Sequence, residues 1–531
     1  MKDFISEIKK IPTDGLIYCL SEKSIDMFRK NECLMPVTIP VIHNGQRKIL
    51  TVTLTAWDIL DMEFLSIKES NDYRRSSKKV PVEVLVDLYR DYDNERSAKE
   101  GIFQNVDADG VFRTLMGMTA EQFAYEDLYW LFEKFSRDYY ILFAAENFEH
   151  RSIIDTDAIV REIFGIPVND YVLILVTVFW LCCQHPDPLS APEELYSNVN
   201  SAVLTVENLS NFIKYYSCTY QNLRTSSLKK QLLYSKPFIK TQRTGEYFAS
   251  SIFPVAMLVG NGLYWLVRNY YCKQGTQVFV NTFGCLFEDY IKDIASKYCK
   301  PSEWTTLSTG SRKSADFTFD LGSLTLLVES KSALICLDVK QQIPNLHNAD
   351  IFFERTISKA YKQLNSSYVR LSVSSKNPII KIILLYDQFS NSAIVEEAAH
   401  KILGSDSSCF IMTIREFEIL LYLHQHNKET EQQILDEILK SLSLSQFQKA
   451  ENMSDVAVNT TVRYQPHQVQ CRIILLGILT CSQKCFILKE YTIFNCLCDL
   501  CQFLINDTSG THVHTVSYTH LRAHETSLHL V

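Results

Sequence analysis

The stretch Arg312 to Lys331 constrains the fold most, because two carboxylates and an ammonium group fall there on what reads as one hairpin. Ala315 to Asp320 and Leu324 to Lys331 are short runs rich in Phe, Thr, Leu and Val. They flank Leu321-Gly322, and glycine is what a tight turn needs at a position of positive φ. With those two residues as the loop, Asp320 pairs with Ser323 and Asp316 with Leu327. Strand side chains alternate with period two, so Leu327, Glu329 and Lys331 then share a face with Asp316. Asp316 and Glu329 become diagonal cross-strand neighbours, about 7–8 Å apart at the backbone and closer at the carboxylates, a gap that a divalent cation can bridge. A bulge at Gly322 would shift this register.

The 531 residues imply three or four domains at roughly 100–200 residues each. An aromatic content of 12% is ample for real cores and excludes global disorder. The net charge of -8 argues against a chain that coats nucleic acid indiscriminately, so any such contact must come from a local basic surface. Sixteen cysteines are scattered along the chain, and Met1 to Leu20 carries early acidic residues without an apolar signal core. The expectation is a cytoplasmic protein whose thiols are mostly free, each a small buried hydrophobe. The longest apolar run, Tyr171 to Cys183, falls short of the ~20 residues needed to span a bilayer. It reads as a buried helix, and no membrane partner is expected.

Taken in order, residues 1–79 read as a small α+β unit. Apolar runs flank His43-Asn44-Gly45-Gln46, a strong hairpin signal, and a helix follows from Thr55 with Asp58 completing a capping box. The polar stretch Lys68 to Lys79 reads as a linker. Residues 80–232 form a helical domain, a candidate surface for a protein partner. There Thr119 with Gln122 caps a long segment, Asp155 to Phe164 stops at Gly165, and Asn169 caps the Tyr171 run. Gln221 to Arg243 holds Arg224, Lys229, Lys230, Lys236, Lys240 and Arg243 with no acidic residue, which suits either a phosphate-contacting surface or a solvated basic face. Residues 233–425 read as a mixed α/β domain: a hairpin turning at Thr244-Gly245, an aromatic helix, and an amphipathic helix from Phe283 to Tyr298 with Glu288 at the edge of its stripe. The central hairpin, a helix near Phe352 to Leu364, the strand Ile379 to Tyr386 and the pair Cys409 to Thr413 with a helix from Arg415 follow, giving a sheet covered by helices. Residues 426–470 read as a helical extension.

Phosphodiester hydrolysis requires charge neutralisation on the phosphoryl oxygens and a nucleophilic water, and a bound Mg²⁺ provides both. Mg²⁺ takes few protein carboxylates, so Asp316 and Glu329 suffice as side-chain ligands. Lys331 on the same face could orient or help deprotonate the attacking water. Together these residues resemble the PD-(D/E)XK nuclease superfamily, with its restriction-endonuclease-like fold, over about residues 237–425. The signature matches as Ala315-Asp316, then Glu329-Ser330-Lys331 on the next strand, with Ala315 in place of the eponymous proline. The helix Gly284 to Glu288 resembles the family's first core helix, and the one carrying Lys359 and Gln363 its later helix. Gln363 and Tyr368 match the Gln-Tyr motif of RecB-type members loosely, with different spacing.

The resemblance implies a Mg²⁺-dependent nuclease, with Mn²⁺ as a substitute, acting on DNA in restriction, defence or mobile-element maintenance. It implies Asp316, Glu329, Glu288 and the Ser330 carbonyl as metal ligands, and Lys331 as the residue serving the water. Arg312, Lys313 and Gln363 become candidate nucleic-acid contacts. The rival readings are a nucleic-acid-binding or scaffolding protein that keeps the fold without turnover, and a helical interaction protein in which the match is accidental. In 471–531, Cys471, Cys481, Cys485, Cys496, Cys498 and Cys501 stand near His512 and His514, but only Cys498 to Cys501 has zinc-knuckle spacing. His514 to Thr526 resembles translated sequencing-adapter read-through, so the tail is set aside and no metal site is expected there.

Overall fold

The computed structural model describes residues 4–30, 32–43, 46–70, 82–99, 129–193, 196, 200–307, 314–335, 339, 345–373, 375–386, 402–404 and 406–440. The Thr119–Gln122 cap, the greater part of the Lys68–Lys79 linker and the Cys/His-rich tail therefore lie outside the described residues. Helices α1 (Phe4–Ile8) and α2 (Thr13–Arg29) precede a hairpin of β1 (Leu34–His43) and β2 (Gln46–Thr55). His43 pairs with Gln46, so the two strands form the expected hairpin, whose Asn44-Gly45 turn lies outside the described residues. Helix α3 (Ala56–Glu69) starts on the expected capping box: the Thr55 hydroxyl accepts from the Asp58 N–H at 3.1 Å, and the Asp58 carboxylate accepts from the Thr55 N–H at 3.1 Å. These bonds satisfy N–H groups that a helix start otherwise leaves unpaired. Helix α4 (Val82–Lys99) lies against this unit, where the Tyr89 hydroxyl donates to Asp61 at 2.6 Å and Arg96 pairs with the same carboxylate at 2.8 Å.

Helix α5 (Tyr129–Tyr139) runs into a π-helical turn at Tyr140–Ala144. Helix α6 (Thr156–Phe164) is capped by the Asp155 side chain and ends at Gly165 with φ 74°, a left-handed stop suited to glycine. Helix α7 (Val168–Cys182) corrects one expectation. It begins directly after Pro167, without a side-chain cap, and Asn169 sits inside its first turn, where its Oδ1 accepts from the Tyr139 hydroxyl at 2.8 Å. The first helical N–H, that of Val168, is instead taken by the Asp157 carboxylate at 2.9 Å, so the start needs no Asn. Tyr171 to Cys182 is buried throughout. Among the described residues no single helix is long and apolar enough to cross a membrane, and the described cysteines are all free thiols.

Helix α8 (Val206–Tyr215) leads to a three-stranded sheet of β3 (Ser217–Thr219), β4 (Phe238–Lys240) and β5 (Tyr247–Ala249). β4 and β5 form the expected hairpin, with Gly245 at φ 78°. β3 joins parallel to β4. A three-residue strand leaves too short a pattern to read. The basic run is partly spent on internal contacts: Arg224 donates to the Ile67 carbonyl at 2.9 Å, Lys230 lies 3.6 Å from Asp61, and Lys236 packs 4.4 Å over the Tyr215 ring.

Helices α9 (Ile252–Lys273) and α10 (Val278–Tyr298) precede a mixed sheet of β6 (Trp304–Thr306), β7 (Phe317–Asp320), β8 (Thr325–Lys331), β9 (Ile379–Leu385) and β10 (Cys409–Thr413), in the order β10-β9-β8-β7-β6. β6, β7 and β8 are antiparallel neighbours, while β8, β9 and β10 run parallel. Parallel neighbours need a long crossover. It contains α11 (Leu346–Phe353), a π-turn at Glu354–Ser358 and α12 (Lys359–Leu371), which cover one sheet face with Ile357, Ala360 and Leu364 against Leu327, Ile379 and Ile383. The opposite face meets aromatic residues of α10 and of α13 (Ile414–His426): Phe283 and Phe287 flank Tyr386, and Phe417 meets Phe319. Helix α14 (Lys428–Lys440) follows.

Glu63 of α3 is fully buried, with neither carboxylate oxygen hydrogen-bonded among the described residues. Burial pushes its carboxyl well above the usual range, so the folded chain holds a proton there that the unfolded chain releases above about pH 4.5. Stability at this position therefore falls as pH rises. Replacing Glu63 with Met, of similar volume, is expected to raise stability at pH 8 by roughly 1–3 kcal/mol and by less at pH 5, measured by urea unfolding at both values.

Candidate active site

The hairpin that organises the sequence exists, in a different register. Asp320 pairs with Thr325, Thr318 with Leu327 and Phe317 with Val328. The connection takes four residues, Leu321 to Leu324, closed by the Leu321 N–H on the Leu324 carbonyl at 3.0 Å, with Gly322 at φ 90° and its N–H on the Asp320 side chain. The expected pairs of Asp320 with Ser323 and Asp316 with Leu327 are thus replaced by pairs two residues further along.

A second departure lies at Asp316. Its N–H donates at 3.0 Å to the carbonyl of Val328, the residue that pairs with Phe317. Ala315 packs in the core cluster of Leu327, while Phe317 pairs with Val328 on the other face. Residues two apart on opposite faces require an extra residue between them, so the strand bulges at Asp316. The single shared face derived by counting does not hold for Asp316. Its Oδ2 instead accepts from the Ser330 N–H at 2.8 Å and the Ser330 hydroxyl at 2.7 Å. In an extended strand a residue's carbonyl points the same way as its N–H, so the Ser330 carbonyl also faces the Asp316 side.

Glu329 and Lys331 keep the common face that alternation assigns them. Lys331 Nζ donates to Glu329 Oε1 and lies 3.5 Å from Gln363 Oε1, and Gln363 Nε2 donates to the Ser314 carbonyl at 3.3 Å. Gln363 thus braces Lys331 against the start of the hairpin. Glu329 is 1% exposed, and its Oε2 has no hydrogen-bond partner among the described residues. Glu288 enters from α10, which approaches the end of β8 closely: a Cβ at Gly284, one turn before Glu288, would lie 3.6 Å from the Ser332 hydroxyl. Arg312 and Lys313 lie outside the described residues.

The electrostatics show that these groups share one environment. Burial, then the Asp316 carboxylate, pushes Glu329 up to about 8, with Lys331 opposing and Glu288 adding. Burial, then Asp316, pushes Glu288 up to about 7, with Lys331 again opposing. Asp316 thus raises the proton affinity of Glu288 and Glu329, and Lys331, with Lys292 at Glu288, offsets that only in part. Such a cluster can hold protons or a cation. The donor set of Asp316, Glu329, Glu288 and the Ser330 carbonyl is all oxygen, the type a hard cation takes, although the ligand atoms of the three carboxylates do not all lie within 4.8 Å of one another.

A different group is drawn together more closely. Ligand atoms of Glu149, His150 and Asp289 lie within 4.8 Å of one another, close enough for a metal ion. His150 gives Asp289 Oδ2 its backbone N–H at 3.1 Å and its ring Nδ1 at 2.9 Å, while Lys292 holds Oδ1 at 3.1 Å. These donors keep the Asp289 carboxyl below the usual carboxylate range despite burial. No spacing in the sequence marks this trio, since 139 residues separate His150 from Asp289. No family model, curated protein or solved structure matches this chain.

Between pH 4.5 and about 8 the folded chain holds a proton on Glu329 that the unfolded chain releases, so stability falls as pH rises through that window. Glu329→Gln is expected to flatten this slope, by up to about 1.4 kcal/mol per pH unit. Urea midpoints of parent and variant at pH 5, 6.5 and 8 measure it.

Proposed function

We propose that this protein is a Mg²⁺-dependent nuclease, with Mn²⁺ as a substitute, that hydrolyses phosphodiester bonds in DNA as an endonuclease. The observation that carries the reading is the buried Glu329 carboxylate with an unpartnered oxygen, beside Asp316 and Glu288 and next to Lys331. Burying a carboxylate without a full set of partners is costly, and a bound cation repays that cost. The strand arrangement supports the same reading, since it delivers Glu329-Ser330-Lys331 from β8, Asp316 from the residue just before the antiparallel β7, and Glu288 from the preceding helix.

When bound, Mg²⁺ supplies Lewis acidity toward the phosphoryl oxygen and lowers the pKa of a coordinated water. The chain's own residues do the rest. Asp316, oriented by the Ser330 N–H and hydroxyl, presents a fixed carboxylate. Glu329 and Glu288 must shed protons to act as ligands, so their raised positions make the site more competent as pH rises through 7 and 8. Lys331, steadied by Glu329 and Gln363, would orient the attacking water or hold the phosphate.

The test incubates the protein with supercoiled, linear and single-stranded DNA and with RNA, in Mg²⁺ or EDTA. The expected outcome is nicking or linearisation of supercoiled DNA that requires Mg²⁺, rises between pH 6 and 8, and drops roughly 10²–10⁴-fold in Asp316→Ala and in Lys331→Ala. Binding without cleavage under Mg²⁺ or Mn²⁺ would replace this reading with that of a nucleic-acid-binding protein. RNA cleavage alone would move the substrate class.

A further inference from the structure

Behind the candidate centre, the residue that follows β9 touches two of the elements that carry it, the end of β8 and the Glu288 helix. Tyr386 donates its N–H to the Lys331 carbonyl at 2.9 Å, the last bond tying that strand end to the sheet. Its ring is fully buried between Phe283 and Phe287 of α10, at centroid distances of 5.0 and 5.1 Å, and Phe287 immediately precedes Glu288. Its hydroxyl donates to Asp138 of α5. Asp138 is paired with Lys134 at 3.0 Å, both side chains being at most 2% exposed, and the Lys134 ammonium lies 5.0 Å over the Tyr386 ring. A buried aspartate and lysine are expensive to keep, and this pair makes its contacts to the strand end and not to solvent. The geometry is that of an outer-shell support, which fixes the rotamers and backbone of the groups that act.

We infer that Tyr386 is a positioning residue for the proposed metal-binding centre, holding the Lys331 strand end and the Glu288 helix in register through its bond to the buried Asp138–Lys134 pair. This rests on the nuclease reading above. The substitution Tyr386→Phe removes the hydroxyl while keeping the ring that packs on α10. Tyr171→Phe, which removes a buried hydroxyl bonded at 2.7 Å to Tyr216 in the helical region, serves as a matched control.

Full-length parent and variants are compared by Mn²⁺ titration calorimetry, by kcat and KM for cleavage of supercoiled DNA in Mg²⁺, and by thermal midpoint. The expected result is a Tyr386→Phe protein that binds Mn²⁺ about tenfold more weakly and cleaves with about tenfold lower kcat at unchanged KM for DNA, while Tyr171→Phe loses midpoint only. If Tyr386→Phe fails to fold, Lys134→Gln keeps a donor for Asp138 but removes the cation, and is expected to show the same pattern at about threefold. A variant that loses midpoint yet keeps the parent's Mn²⁺ affinity and kcat would reduce Tyr386 to a core residue and leave the nuclease reading standing. A parent that neither binds Mn²⁺ nor cleaves would remove the nuclease reading, and this inference with it.

Discussion

Strand β8 is hydrogen-bonded along both edges, antiparallel to β7 on one side and parallel to β9 on the other, and helices cover both faces of the sheet. A strand so enclosed has no solvent-facing side along its middle, so the side chains from Leu326 to Ser330 are taken out of water, while Thr325 and Lys331 at its ends stay partly exposed. Leu326, Leu327 and Val328 accept that without cost, whereas Glu329 does not. The carboxylate is forced inside by its position in the ladder. Its charge must then be met by the neighbouring ammonium, by a proton or by a cation, and Lys331 alone covers one oxygen only. The unusual chemistry of the centre follows from this enclosure more than from any unusual residue.

Helix α10 is where the centre meets the rest of the chain. One side supplies Glu288, while Asp289, Tyr290 and Asp293 turn to other partners. Asp289 takes two bonds from His150, and Asp293 accepts from the Tyr140 hydroxyl at 3.0 Å. Tyr290 donates at 2.6 Å to Glu418, which Arg137 also holds through a two-pronged contact at 2.6 and 2.8 Å. Burying Arg137 and Glu418 brings little net stability by itself. What such a pair supplies is directional: a planar fork accepts one orientation of its carboxylate, so α5, α10 and α13 are held in a fixed arrangement around Tyr290.

Local signals in the sequence translated directly where the determining partners were near in the chain. The Thr55–Asp58 capping box, the β1–β2 pairing, the Gly165 stop and the Gly245 turn each depend on residues within a few positions of one another. The central hairpin was legible as two strands, but Leu321-Gly322 does not by itself specify loop length. The four-residue connection moved the register by two, which preserves the alternation along β8. The bulge at Asp316 was invisible for a different reason: its trace is the packing of Ala315 on one face and Phe317 on the other, and both are simply apolar. Asn169 looked like a cap because the Tyr139 hydroxyl that claims it lies 30 residues away. The basic run looked like one surface, yet Arg224, Lys230 and Lys236 are partly used internally, and charge density says nothing of that.

The sequence by itself determined a mixed α/β chain, the β1–β2 and β7–β8 hairpins, and that Asp316 and Glu329-Ser330-Lys331 lie on the two sides of one hairpin. These follow from periodicity and turn chemistry, which act over short separations. Only the tertiary structure decided that Glu329 is buried with an oxygen unpartnered, that Asp316 turns to Ser330, that Gln363 braces Lys331, and that Tyr386, Asp138 and Lys134 stand behind the strand end. Each of those depends on which distant segment fills the space beside a given side chain. Burial and the raised positions of Glu288 and Glu329 are properties of that enclosure, and no single stretch of the chain contains them.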